Sequence, residues 1–173
     1  MMYKKEIKIL KNCGIGIMPT DTIYGLVGRA LSQRAVKRVY EVRKRDLNKP
    51  FIILISSLAD LRLFGIELNK RTSGLLKKIW PGPVSVILPC PHKKFSYLHR
   101  GTNSLAFRLP KLKWLRDLLK QTGPLVAPSA NLSGKLPAKN IKEAKKYFGS
   151  KADFYIDFGE IESPPSSLIE IKR

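Results

Sequence analysis

Histidine and cysteine are scarce in this 173-residue sequence, with two of each. Cys13 and Cys90 lie far apart and neither has a CxxC neighbour. That argues against a zinc knuckle or a disulfide framework, so both read as small buried hydrophobes in a reducing environment. His92 and His99 fall together in one basic stretch, away from the other polar groups, which disfavours a Ser-His-Asp triad or a zinc centre. Long apolar runs are missing as well. Residues 51–55 make one of the longer ones, far short of the ~18 a membrane span needs. The first ten residues are charged and amphipathic and do not read as a signal peptide. The expectation is a cytoplasmic protein without a membrane partner. There is no GxxxxGK[ST] run, no GxSxG elbow, and no third glycine after Gly14-Ile15-Gly16 to complete a dinucleotide fingerprint. Acidic residues are also few: 13 against 33 lysines and arginines, a formal net charge of +20. Such a field draws in polyanions, nucleotides or acidic partners without choosing among them. Part of it reads equally well as solvated lysine on helix faces, as at Lys142, Lys145, Lys146 and Lys151.

What is present suits one domain over residues 1–173, since 43% of the chain is hydrophobic and no repeat, linker or low-complexity tract interrupts it. Residues 3–12 have an amphipathic helical pattern with Gly14 as a stop, and residues 15–18 read as a short strand. Ser32 caps a helix whose Ala35, Val36, Val39, Tyr40 and Val42 recur near the 3.6-residue period. Residues 51–55, 84–88, 104–109, 125–127, 154–156 and 168–171 read as strands. Further helices are expected over 58–64, behind Asn69 until Trp80-Pro81-Gly82-Pro83 stops it, around Trp114 to Leu119, and behind Asn140 with Glu143 in a capping-box position. A basic loop is expected between the strands at 84–88 and 104–109. The mixture indicates an α/β or α+β fold with a twisted mixed sheet and flanking helices.

Four segments collect polar residues at the ends of elements. Pro19-Thr20-Asp21-Thr22-Ile23-Tyr24-Gly25-Leu26 reads as a loop with two hydroxyls around a carboxylate, able to bind a small polar ligand or to satisfy its own backbone. Arg43, Lys44, Arg45 and Lys49 cluster behind a helix, where they either grip phosphate oxygens or complement the helix dipole. Arg108 interrupts an apolar strand, so it either pairs with a buried acid or faces a ligand cleft. Pro128-Ser129-Ala130-Asn131-Leu132-Ser133-Gly134, followed by Pro137, is either an anion-binding nest or a structural loop.

These segments, in this order, resemble the YrdC-like family of threonylcarbamoyl-AMP synthases. The first is similar to that family's P-T-[ED]-T-x-[YF]-G-L opening, and Arg43-Lys44-Arg45 with Lys49-Pro50 resembles its K-x-R…[KN]-P segment. The W-P-G-P turn, the [ST]-x-A-x-R strand at Ser104 to Arg108, the P-S-A-N-x-S-G loop, and Ser166-Ser167-Leu168-Ile169 match in register. The resemblance covers nearly the whole chain and implies a YrdC-like sheet with a basic concave face. It implies synthesis of threonylcarbamoyl-AMP and diphosphate from ATP, L-threonine and bicarbonate, for the threonylcarbamoyladenosine modification of tRNA. Carried over, it puts Arg43, Arg45, Lys49, Ser104, Ser129, Asn131 and Pro137 at ATP, and Thr22, Arg108, the Ala127 backbone and Ser166 at threonine. Mg²⁺ is expected to arrive with ATP. No side chain is expected to act as acid, base, nucleophile or metal ligand. A tRNA or double-stranded RNA partner and a downstream tRNA threonylcarbamoyl transferase are further implications. A YrdC-like RNA-binding protein without synthase activity is the alternative. Three departures stand out: Arg43 replaces a lysine, Asp46 a proline, and Leu54 a histidine found near threonine in some relatives. Some relatives continue beyond the last strand and supply another nucleotide-binding arginine, a role not given to Arg173.

Overall fold

The computed structural model describes residues 3–44, 46 and 48–171. Its centre is an eight-stranded mixed sheet, β1 (Ile15–Pro19), β2 (Tyr24–Arg29), β3 (Ile52–Leu54), β4 (Val84–Pro89), β5 (Ser104–Arg108), β6 (Leu125–Val126), β7 (Phe154–Tyr155) and β8 (Ser167–Glu170). The spatial order is β7-β1-β2-β6-β3-β5-β4-β8. Pairs β1–β7, β3–β5 and β4–β8 are parallel, and the other neighbours are antiparallel.

Alternation along the strands sorts the apolar side chains onto two faces. Ile15, Ile17, Tyr24, Leu26, Ile53, Val86, Phe107 and Val126 join one core with α2 (Gln33–Arg43) and α6 (Ile141–Phe148). Met18, Val27, Leu54, Leu125 and Phe154 join a second core under α1 (Lys4–Lys11) and α5 (Lys113–Thr122). Leu115, Leu118 and Leu119 fix α5 there, each burial contributing about 1.5–3 kcal/mol. The second face is covered only in part. Ile52, Ser104, Ala106 and Ile87 lie on the same face as Leu54 and Arg108 by strand alternation and are half-buried rather than sealed. This open half of the sheet carries the candidate site.

Ser32, Asn69 and Asn140 cap their helices as expected, accepting from Ala35, Thr72 and Glu143 N–H. Glu143 reaches Lys139 N–H instead of the cap's own, so the reciprocal half of the capping box is shifted by one residue. Three expectations need correction. Residues 24–26 are strand β2, because Tyr24 and Leu26 both supply core side chains and pair with β1. The basic stretch at 93–99 folds into helical turns, ending in α4 (Ser96–His99), because Phe95 and Leu98 bury against the sheet. The left-handed residue after α1 is Cys13, at φ 62°. Gly14 is needed for closeness instead: a Cβ there would lie 2.3 Å from the Ile9 side chain. The helix expected over residues 58–64 is present and is of the 3-10 type.

Candidate functional site

A pocket of about 190 Å³ opens on the uncovered half of the sheet. Thr22, Arg43, Phe51, Arg108, Ser129 and Ser166 are among its lining residues, with Ala127 at its wall. The turn after β1, the end of α2, the end of β5 and the loop after β6 therefore meet at one hollow. The 127–131 loop is held against β2 by hydrogen bonds from Leu26 N to Pro128 O and from Ala130 N to Tyr24 O, each 2.9 Å.

Arg108 is one of two arginines buried in this hollow, 4% exposed like Arg43. It pairs with the equally buried Asp21 carboxylate at 3.2 Å and donates to Thr22 Oγ1 at 3.2 Å. Burial pushes the guanidinium below the ordinary arginine value, and Asp21 partly restores it. The arginine thus pairs with an acid and faces a cleft at the same time. Its Nε–H is buried and lacks a hydrogen-bond partner among the described residues, which is costly unless a ligand supplies the acceptor. Thr22 Oγ1 also shares a 3.1 Å hydrogen bond with Thr20 Oγ1, which in turn donates to Ile23 O. The turn therefore serves its own backbone as well as the pocket.

Arg43 closes the opposite corner. Its Nε donates to Ser129 O at 3.0 Å, and one terminal nitrogen donates to both Ser129 Oγ and Asn131 Oδ1 at 2.8 Å. Asn131 Nδ2 donates to Leu132 O and Lys135 O, which fixes the loop from behind. A lysine could not copy this fork, so arginine suits the position here.

An irregular, mostly exposed strap over residues 157–165 runs up to the pocket, which its Pro165 lines. Tyr24 anchors it, donating to Gly159 O at 2.8 Å and accepting from Phe158 N at 2.9 Å. Burial foremost pushes the Tyr24 phenol up, so the hydroxyl stays a donor at neutral pH. Ser163 Oγ donates to Thr22 O, and Lys139 pairs with Glu162 at 2.8 Å. Beyond the strap, Ser166 Oγ reaches the buried Ser85 Oγ at 3.0 Å.

The family model for Sua5, YciO and YrdC, described as telomere recombination, matches residues 8–173. The chain belongs to the Sua5/YciO/YrdC family. It is 34% identical over 157 residues to the threonylcarbamoyl-AMP synthase of Pyrococcus abyssi, covering 88% of this chain and 46% of that protein. It is 32% identical to a putative threonylcarbamoyl-AMP synthase of Methanocaldococcus jannaschii, covering 98% of this chain and 82% of that protein. The crystal structure of P. abyssi Sua5 complexed with L-threonine superposes with a TM-score of 0.89 at 30% identity, over 96% of this chain and 50% of that one. The chain thus spans about half the length of the Pyrococcus relative.

For a member of the Sua5/YciO/YrdC family, six of the residues singled out from sequence converge on the pocket: Thr22, Arg43, Arg108, Ala127, Ser129 and Ser166. Asn131 stands just behind, bonded to Arg43. Lys49 is exposed, and its carbonyl accepts from Tyr40 Oη at 3.0 Å. Ser104 lies outside the pocket lining, at the far end of β5 from Arg108. Four residues at about 3.3 Å each put it roughly 13 Å away along the same open face. Pro137 is exposed and also lies outside the lining. Arg45 and Arg173 lie outside the described residues. Leu54 is buried in the second core and does not line the pocket, although it is the strand neighbour of Arg108. Sequence reasoning missed Tyr24 and Ser163 as strap anchors and Ser85 as the partner of Ser166. It also left Asp21 unmatched to Arg108. A signal for that pair was present, since a strand arginine needs an acid and Asp21 sits in the polar turn. No signal marked Ser85 or Ser163.

Proposed function

We propose that this chain joins ATP, L-threonine and bicarbonate into threonylcarbamoyl-AMP, releasing diphosphate. The observation that carries the reading is the buried Arg108, with an N–H that no described residue pairs, at a pocket that also holds the Thr22 and Ser166 hydroxyls. A cation and hydroxyls in a hollow this small suit an amino acid of threonine's size, with Arg108 taking its carboxylate. The Pyrococcus relative seen with L-threonine supports the same assignment. The nucleotide would lie along the open face from Ser129 and Arg43 toward Ser104, with Arg45, Lys49, Asn131 and Pro137 at its border.

In this reading, threonine's amine and bicarbonate condense to a carbamate with loss of water. A carbamate oxygen then attacks the α-phosphorus of ATP, the bond to the β-phosphate oxygen breaks, and diphosphate leaves. The attacking group is already an anion, so the protein's part is to position and to neutralise charge. Among the described residues, no group of three or more His, Cys, Asp or Glu is placed to hold a metal. Mg²⁺ would arrive with ATP, bound by its phosphate oxygens. Diphosphate release that requires threonine and bicarbonate together supports this function; release with carbamoyl phosphate instead, or none, rejects it.

The +20 charge favours a second contact, with tRNA or double-stranded RNA. Such binding would weaken steeply with salt. It would leave synthesis intact if the product passes on to a separate tRNA threonylcarbamoyl transferase.

A further inference from the structure

We infer that Arg100 is an additional phosphate-binding residue of the nucleotide site, an inference that rests on the ATP-dependent reading above. Arg100 follows α4 in a left-handed conformation, at φ 50° and ψ 38°, an arrangement unusual for a bulky residue and one that surrounding structure must hold in place. The turn is held: Gly101 N–H donates to His99 Nδ1 at 3.2 Å, and Thr102 Oγ1 donates to His99 O at 2.7 Å.

Its guanidinium carbon lies 4.4 Å from the centroid of the Tyr40 ring. Tyr40 in turn stacks on Phe51 at 4.0 Å, and Phe51 lines the pocket. The Tyr40 hydroxyl donates to the carbonyl of Lys49, a residue proposed above for the nucleotide. Four positions after Arg100, Ser104 begins β5 on the open face. The parallel register of β3 and β5 puts Lys49 and Ser104 at one end of the sheet, and Arg100 sits at that end through its contact with Tyr40; neither Lys49 nor Ser104 lines the pocket.

The guanidinium carries five N–H donors, and none donates to another described residue. Its Nε is buried and has no partner among the described residues. A cation–π contact with one ring is weaker than the penalty for burying a donor without an acceptor. A packing role alone therefore leaves the arrangement unbalanced. An anion reaching the end of the sheet where Lys49 and Ser104 lie would supply the missing acceptor, and a planar fork already over an aromatic ring is pre-organised for phosphate oxygens.

The test compares Arg100→Met, which keeps the stem on Tyr40, with Arg100→Lys, which restores the charge; Arg100→Gln serves if the Met variant does not fold. The expected result is an ATP KM raised about tenfold in the neutral variant, the loss of one charged hydrogen bond. Threonine KM and melting temperature should stay near wild type, with partial recovery in Arg100→Lys. An unchanged ATP KM, or a fall in melting temperature without one, overturns the inference. If the wild type releases no diphosphate, the proposed function fails, but titration with MgATP still decides on Arg100. Tenfold weaker binding by the neutral variant upholds it. Equal affinity, or a wild type that binds no ATP, overturns it.

Discussion

The floor and the roof of the pocket are built on opposite principles. On the floor, two buried arginines from distant parts of the chain are each held by several hydrogen bonds or an ion pair, Arg108 by Asp21 and Thr22, Arg43 by Ser129 and Asn131. The roof is the exposed strap at 157–165, tied to the body through Tyr24, Ser163, the Lys139–Glu162 pair and the Ile161 N–H bond to Lys139 O. Low-dielectric surroundings make the floor's bonds strong and their loss costly, while water competes for those above. The floor is therefore where charge recognition is set before any ligand arrives. The roof can adjust to what lies beneath it, because few buried contacts fix it.

The comparison breaks most visibly at Arg108. Arg108→Ala should raise the threonine KM by about a hundredfold or more, the loss of a charge-assisted carboxylate contact. It also leaves the Asp21 carboxylate buried without its cation, at a cost of about 3–5 kcal/mol in stability. The double variant Asp21→Asn with Arg108→Ala separates the two effects: melting temperature should largely recover while the threonine KM stays high. Recovery of both would make the arginine a structural partner of Asp21 and nothing more.

Next comes Arg43→Lys. The lysine keeps the charge but cannot span Ser129 O, Ser129 Oγ and Asn131 Oδ1 together. The expected loss is about 2 kcal/mol of stability and a several-fold rise in ATP KM, read from denaturant midpoints and diphosphate release. Improved activity instead would show that a compact ammonium is the better phosphate ligand at this corner.

These two arginines also mark how far the sequence could be read. Apolar periodicity placed most helices and strands, because the cores on both faces impose a repeat that survives in the order of residues. Ser32, Asn69 and Asn140 announced their helices by local chemistry. Proximity across the sheet was harder. The 86-residue separation of Arg108 and Thr22 leaves no local trace, and only the resemblance to a family joined them. The strap left even less, since its position depends on single bonds from Tyr24 and Ser163 to backbone groups, and a hydroxyl in sequence does not name its partner. Residues 24–26 were misjudged because polar neighbours made a buried strand look like loop. Arg100 was passed over because it sat among exposed cations.

At the roof the effects shrink. Tyr24→Phe removes the donor to Gly159 O and the acceptor of Phe158 N–H while leaving the ring in the core. A stability loss of about 1 kcal/mol is expected, together with a threonine KM raised roughly threefold to fivefold through the displaced strap. ATP affinity should hold, since Arg43 and the 129–131 loop are untouched. A larger effect on ATP than on threonine would mean that the strap covers the nucleotide instead.

The smallest change belongs to Glu162→Gln. The pair with Lys139 draws the Glu162 carboxyl below its ordinary value and lifts Lys139 above its own. Both side chains remain more than half exposed, so water and salt screen what they gain from each other. Any stabilisation from Glu162 is present above the ordinary glutamate pKa and fades as pH falls through its lowered folded value, so neutral pH shows the pair at full strength. Even there, the variant should match wild type in melting temperature and in the KM for threonine, because Tyr24 and Ser163 still hold the strap. A threonine KM changed fivefold, and matched in wild type by adding salt, would reverse the contrast: the roof would then be latched by charge, and the floor would no longer be the only part of the site set by electrostatics.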